Sequence, residues 1–323
     1  MNYAALRRSV AALLMGAAHA QPAAATTPPA ALPTAVVADN PAAHPSFAVR
    51  VVGKGRPVLL IPGLTCPGAV WDETVARYQS RYQCHVLSLT GFGGLAPAAG
   101  GSPTAPFLPA VRDELLAYIN AQKLDRPAVI GHSLGGFMGL WLSTTQPGAV
   151  GPLVILDSLP FLAAIQNPAT TVETARPMAE GMRQQVSAGN MPLAQQRQMV
   201  ASMVTDTARQ RLVARWGQAS TPARVAQAMY EMYTTDLRAD LGAVRQPALV
   251  LGSWAAYQPF GATLASTRAI FAAQYAKLPQ HRIEMSQAGK HFLMYDDTAW
   301  FFQQTDAFLQ THYADKATYA RKK

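Results

Sequence analysis

The chain has 323 residues, half of them hydrophobic, with 24 prolines and 23 glycines. That is ample for a buried core, in one large domain or in one domain carrying an insertion. The formal charge of +9 is scattered outside Arg7-Arg8 and Arg321-Lys322-Lys323. No basic stripe interleaved with aromatics occurs, which argues against a nucleic-acid partner and makes the terminal run a solvated tail.

The first twenty residues read as an address. Arg7-Arg8 precede the apolar run Val10–Ala18, and Ala18-His19-Ala20 is a small-x-small cleavage pattern. The run falls short of the roughly twenty apolar residues that span a bilayer, and no later stretch is longer. The expectation is an exported protein, periplasmic or secreted, cleaved after Ala20, with no stable membrane insertion. Residues 21–45 are rich in Ala, Pro and Thr without periodicity, and read as a disordered leader.

From residue 46 onward, apolar runs alternate with helical patterns. The expected strands are Phe47–Val52, Val58–Ile61, His85–Leu89, Ala128–Ile130, Leu153–Leu156, Ala248–Leu251 and Arg282–Met285. Several are continuously apolar, as expected of strands covered on both faces. Helices are expected over Trp71–Tyr82, Pro109–Gln122, Leu134–Thr145, Ala262–Ala276 and Thr298–Thr311. Strand–helix alternation of this kind predicts an α/β fold with a mostly parallel central sheet and helices on both faces.

One stretch breaks the rhythm. Residues 160–236 have helical patterns, including "LAQQRQMVASMV" and "PARVAQAMYEMY", but no strand-like run. They read as a helical cap inserted between core segments 46–159 and 237–312, with 313–323 a basic tail. Seven of the twelve methionines fall between Met178 and Met232. Most pack helices together, but as a group they suggest a deformable apolar pocket wall. The two cysteines are expected to be free: Cys66 follows one strand, whereas Cys84 begins the next at the opposite edge of the sheet. A five-residue strand is about 16 Å long, too far for a disulfide.

The segment "AVIGHSLGGFMGLWLS" (128–143) passes from a strand through two glycines into a helix, with Ser133 at the hinge. A side chain on so tight a turn needs small neighbours two residues either way, and Gly131 and Gly135 supply them. The turn exposes the Ser133 hydroxyl at the carboxyl edge of the sheet and aims the helix's free N–H groups at whatever the serine attacks. No H-E-x-x-H and no Cys/His grouping with ligand spacing supports a metal.

Taken in order, "VLLIPGLTCPGAVWDE", "GFGG" at 91–94, "GHSLGG" at 131–136, "PALVLG" at 247–252 and "AGKHFLMYDD" at 288–297 resemble the α/β-hydrolase superfamily, in particular its cap-bearing esterase-like members. The resemblance covers residues 47–311. It implies Ser133 as nucleophile, His291 as the base in a loop after the last strand, and the backbone N–H groups of Leu64 and Leu134 as the oxyanion hole. Pro62 stands where the family usually has histidine, which matters little because the donors are main-chain groups. His132, inside the elbow, is expected to point away from the serine's mouth.

The acid departs from the pattern. Most of the family carry Asp or Glu just after the strand at Ala248–Leu251, where this chain has "GSWAAYQPFG". Asp157, ending the strand one earlier, is the first choice, as in some family members. Asp236 could also face the site, Asp240 fits a structural charge, and Asp296 and Asp297 fit helix starts. The resemblance implies hydrolysis of a small carboxylic ester or related acyl bond through an acyl-serine intermediate, with no cofactor. Perhydrolysis like that of cofactor-free haloperoxidases, lactone opening, C–C hydrolysis and a non-catalytic binding protein stay open as alternatives, and the oligomeric state is not readable.

Overall fold

The computed structural model describes residues 43–97, 105–189 and 192–314. The expected signal segment 1–20, most of the leader, and the basic run at the carboxyl end lie outside the described residues. Seven strands form one sheet: β1 (Phe47–Val52), β2 (Arg56–Ile61), β3 (Tyr82–Leu89), β4 (Ala128–His132), β5 (Leu153–Leu156), β6 (Ala248–Gly252) and β7 (His281–Met285). Their order across the sheet is β1-β3-β2-β4-β5-β6-β7. All neighbours are parallel except β1, which pairs antiparallel with β3 along one edge.

The β1–β2 link is only Gly53-Lys54-Gly55, yet it passes the start of β3. It does so against bare backbone: a Cβ built on Gly53 would stand 2.4 Å from the carbonyl oxygens of Gln79 and Tyr82. Both glycines have positive φ, 85° and 120°, a region glycine enters without steric cost.

The helices are α1 (Asp72–Tyr78), α2 (Leu108–Ala121), α3 (Leu134–Thr145), α4 (Val172–Ser187), α5 (Leu193–Met203), α6 (Thr207–Gln218), α7 (Pro222–Thr234), α8 (Leu264–Gln274), the single turn α9 (Leu293–Asp296) and α10 (Thr298–His312). Alternate strand residues feed two cores. Leu59, Ile61, Val129 and Val250 pack with α2, α3 and α8 on one face, whereas Leu60, Ile130, Leu156 and Leu251 pack with α1 and α10 on the other. Both faces are covered, and β4, β5 and β6 are buried at every position. Helices α4 to α7 interrupt this alternation between β5 and β6, and a small third core of Phe161, Ala163, Ala175, Ala179 and Tyr233 holds part of them together.

Two boundaries move. His44, read as leader, is 4% exposed, stacks on Phe47 and hydrogen-bonds through Nδ1 to the Phe47 carbonyl. Tyr313, read as the start of the tail, is 1% exposed, donates its hydroxyl to the Pro57 carbonyl and lies under the Arg56 guanidinium. The buried core therefore extends beyond both expected limits, because a ring at each end packs against the sheet, His44 on β1 and Tyr313 at the start of β2. Cys66 and Cys84 are free and buried, and burial pushes both thiols up to about 12, so neither is a ready nucleophile.

Candidate active site

The register of the parallel strands builds the site. His132 pairs with Leu156, and Leu156 pairs with Leu251, so β4, β5 and β6 end level. The residues one step beyond are Ser133, Asp157 and, after Gly252, Ser253. Backbone bonds continue the ladder there: Ser133 N–H donates to Leu156 O at 2.8 Å, and Asp157 N–H to Leu251 O at 2.7 Å. Three polar side chains from distant parts of the sequence thus share one sheet edge.

Ser133 has φ 53° and ψ −117°, backbone that L residues rarely adopt. The glycines explain how the turn closes. A Cβ on Gly131 would lie 2.2 Å from Gly135 O, and one on Gly135 would lie 2.1 Å from Ile61 O. Strand, helix and the neighbouring β2 end are packed backbone to backbone. Leu134 is the first residue of α3, so its N–H has no acceptor within the helix. Leu64 follows β2 and lines the same cavity as Ser133.

His291 Nδ1 lies 2.7 Å from Asp157 Oδ2, with the carboxylate 4% and the imidazole 18% exposed. The neutral ring donates from Nδ1, leaving Nε2 unprotonated. Ser253, itself fully buried, clamps the same carboxylate: its N–H donates to Oδ1 at 2.8 Å and its hydroxyl to Oδ2 at 2.9 Å. Asp157 therefore accepts three hydrogen bonds. Like Ser133 it sits at positive φ, 44°. Burial first, and the Asp157 charge second, hold the hydroxyls of Tyr257 and Tyr275 above the ordinary tyrosine range, so both stay neutral beside it.

The other candidate carboxylates, Asp236, Asp240, Asp296 and Asp297, make no hydrogen bond to His291. Asp236 is forked by Arg238, with Nη2 to Oδ2 at 2.7 Å. Asp240 is exposed at the start of a short 3₁₀ turn. Asp296 accepts from the Thr205 N–H and hydroxyl, and Asp297, just before α10, from the Ser286 hydroxyl at 2.6 Å.

His132 is a residue whose place the sequence reading missed. It does not point away from the site but lines the cavity, its ring centroid 4.6 Å from that of His291. Its Nε2–H donates to the His291 carbonyl at 3.1 Å, fixing the base's backbone. Burial, and then the neighbouring His291, push His132 well below the usual histidine range. It stays neutral and adds no charge beside the base. The histidine loop is also tied to α5: Lys290 Nζ donates to Ala201 O at 2.8 Å and Phe292 N–H to Met203 O at 3.2 Å.

Ser133 and His291 line one cavity of about 460 Å³, walled on the far side of the chain order by α4 to α7. Among the described residues no hydrogen bond joins the Ser133 hydroxyl to the ring. In free enzymes such contacts are often long and tighten with substrate. Three of the methionines singled out, Met199, Met203 and Met229, line the cavity; Met232 belongs to the main core and Met178 is exposed. Among the described residues there is no group of His, Cys, Asp or Glu able to hold a metal ion, and no helix long and apolar enough to cross a membrane.

A doubly covered parallel sheet with a strained serine between strand and helix, and a histidine–carboxylate pair at the same edge, defines the α/β-hydrolase class. The Alpha/beta hydrolase family model matches residues 58–304, and the chain belongs to that family. Pimeloyl-[acyl-carrier protein] methyl ester esterase of Aliivibrio salmonicida is 34% identical over 112 residues, 35% of this chain and 40% of that protein. The enzyme of that name from Nitrosomonas europaea is 25% identical over 219 residues, covering 64% of this chain and 79% of the relative. Among solved structures, an esterase from Exiguobacterium antarcticum aligns with a TM-score of 0.66 at 13% identity, over 82% of this chain and 95% of its own. A thermophilic esterase from Thermogutta terrifontis aligns with a TM-score of 0.63 at 20% identity, over 82% and 93%. These structures share the fold.

Proposed function

We propose that the protein is a carboxylic ester hydrolase acting on a small acyl substrate through an acyl-serine intermediate. The observation that carries this reading is the 2.7 Å contact between His291 Nδ1 and Asp157 Oδ2, beside the cavity that His291 shares with the strained Ser133. A hydroxyl is a poor nucleophile at neutral pH. In this account His291 Nε2 takes the Ser133 proton as Oγ attacks the ester carbonyl, and Asp157 stabilises the imidazolium that results. The carbonyl oxygen becomes an oxyanion facing the N–H groups of Leu64 and Leu134, where one donor is typically worth roughly 10²–10³ in rate. His291 then returns the proton to the departing alcohol oxygen. Water, deprotonated by the same ring, attacks the acyl-serine carbonyl, and His291 passes that proton to the departing Ser133 Oγ as the acid is released. None of these steps calls for a metal or cofactor. The names of the curated relatives favour an ester over the other acyl bonds this machinery could open.

The test is a panel of p-nitrophenyl esters of increasing acyl length, run on the wild type and on Ser133→Ala. Short to medium chains are expected to be hydrolysed, with the rate abolished in the variant; turnover that survives the substitution contradicts the proposal. We further propose that residues 1–20 direct export with cleavage after Ala20. Mass spectrometry of secreted protein beginning at Gln21 supports this, and an intact Met1 on exported protein refutes it.

A further inference from the structure

Helix α5 ends at Met203, and carbonyls in the last turn of a helix need donors from outside it. Ala201 O would take the Thr205 N–H if the helix went on, but that N–H donates to Asp296 Oδ1 at 2.9 Å. Lys290 Nζ donates to Ala201 O instead, at 2.8 Å, a cation at the helix end whose backbone dipole favours one. Among the described residues Lys290 Nζ has no carboxylate partner, so its charge is committed to that helix end. Phe292 N–H donates to Met203 O at 3.2 Å, and between the two the His291 carbonyl is held by His132 Nε2 at 3.1 Å. Asp296 also accepts the Lys290 N–H, at 3.2 Å. Both chain neighbours of the base are therefore bonded to the carboxyl end of α5. The same helix contributes Met199, Val200 and Met203 to the wall of the cavity that holds Ser133 and His291.

We propose that Lys290 is a positioning residue: its ammonium fastens the loop carrying His291 to the carboxyl end of α5, so that the cavity wall and the base keep one fixed relation. This rests on the ester-hydrolase reading above, and deepens it by making α5 part of the catalytic geometry as well as a wall. Asp157 orients the His291 ring, but where Nε2 stands relative to Ser133 also depends on the backbone of residues 290–292. A misplacement of about 1 Å can cost about 10²-fold in rate. With the Phe292 and His132 contacts still in place, loss of the Lys290 contact permits only part of such a shift, and a fall of about tenfold is expected.

The experiment uses the full protein as wild type, Lys290→Met, which keeps the stem and removes the donor, and Lys290→Arg, which keeps a charged donor. Two quantities are read: kcat/KM on p-nitrophenyl butanoate, and the inhibition constant of p-nitrophenyl butyl ether, which fills the cavity but cannot react. In Lys290→Met, kcat/KM is expected to fall about tenfold while the ether binds within about twofold of wild type, the mark of an interaction that acts on the chemical step alone. Lys290→Arg is expected to recover most of the loss. A thermal melt accompanies each variant, and if Lys290→Met is unfolded at the assay temperature, Lys290→Gln, whose stem is shorter, is scored in its place. A kcat/KM within about twofold of wild type overturns the inference. So does a fall matched by equally weakened ether binding, which marks a link that only holds the cavity together, and so does an arginine variant no faster than the methionine one. Failure of the underlying reading looks different: wild-type protein then does not turn over p-nitrophenyl butanoate in a Ser133-dependent way.

Discussion

Asp157→Asn preserves shape while removing the charge that faces His291, and the surrounding donors dictate how the new side chain sits. The Ser253 N–H points at Oδ1 from 2.8 Å and cannot turn round, so the asparagine must place its oxygen there. Its NH₂ then occupies the Oδ2 position, 2.7 Å from His291 Nδ1, where the ring formerly donated. Two donors cannot face each other, so the imidazole gives up the Nδ1 proton and carries it on Nε2. A ring protonated at Nε2 cannot accept the Ser133 proton. The Ser253 hydroxyl, which can rotate, adapts by accepting from the amide. The analogous change in a serine protease lowers kcat about 10⁴-fold by this tautomer effect. We expect a loss of about 10³–10⁴ here, about 4–5.5 kcal/mol of barrier. The assay is kcat on p-nitrophenyl butanoate at pH 8, with a thermal melt in parallel. A folded Asp157→Asn protein within about fivefold of wild type refutes the argument.

Three further outcomes follow from contacts already described or adjoining them. Ser253→Ala removes one donor to the carboxylate and is expected to lower kcat roughly tenfold with KM little changed, since a hydrogen bond to a charged group is worth about 1.5–3 kcal/mol and only part of that acts through His291; an unaltered kcat shows that the clamp is merely structural. Glu231→Ala should destabilise the fold by about 2–4 kcal/mol: buried Glu231 accepts the N–H groups of Phe107 and Leu108 at 2.8 and 2.7 Å, pinning α7 to the start of α2, and urea unfolding with an unchanged midpoint contradicts this. His85, hydrogen-bonded to Tyr118 and Gln83, is pushed down to about 4 by burial. The unfolded chain therefore takes up a proton that the folded chain refuses, so the His85 contribution is fully present above about pH 6.5 and is lost as pH falls towards 4, roughly 3 kcal/mol over the window. Urea unfolding at pH 7 and 4.5 should show a shallower acid loss in His85→Gln than in wild type, and equal slopes refute the assignment.

Much of the sheet is legible in the sequence because the parallel strands are buried on both faces, and short, continuously apolar runs such as Leu153–Leu156 and Ala248–Leu251 fit little besides a doubly covered strand. Ends are less so. Gly131 and His132 look unlike strand, yet they pair with Ile155 and Leu156 and carry β4 up to the serine. The helix expected to run to Tyr82 stops at Tyr78, because the chain must turn before Tyr82 enters β3 beside Arg56. Strand order is not written locally at all: nothing near Phe47 says that β1 runs antiparallel to β3 along its edge. The elbow is legible because its constraint is local, with two glycines at positions where any Cβ would come within about 2 Å of a neighbouring backbone oxygen. The carboxylate is harder. Asp157 and Ser253 are brought together only by the β5–β6 register, which is why a chain with no acid in the loop directly after Gly252 offers several candidates. His132 escapes the sequence for a related reason: it sits beside the stronger signal of the elbow serine, and only packing across elements shows what its side chain faces.

The most direct measurement is reaction with a fluorophosphonate followed by peptide mass spectrometry, because phosphonylation requires a hydroxyl whose proton a neighbouring base removes. The account predicts a single adduct on the peptide carrying Ser133, absent in Ser133→Ala and strongly slowed in His291→Ala. An unlabelled wild-type protein, or an adduct that persists when Ser133 is replaced, contradicts it.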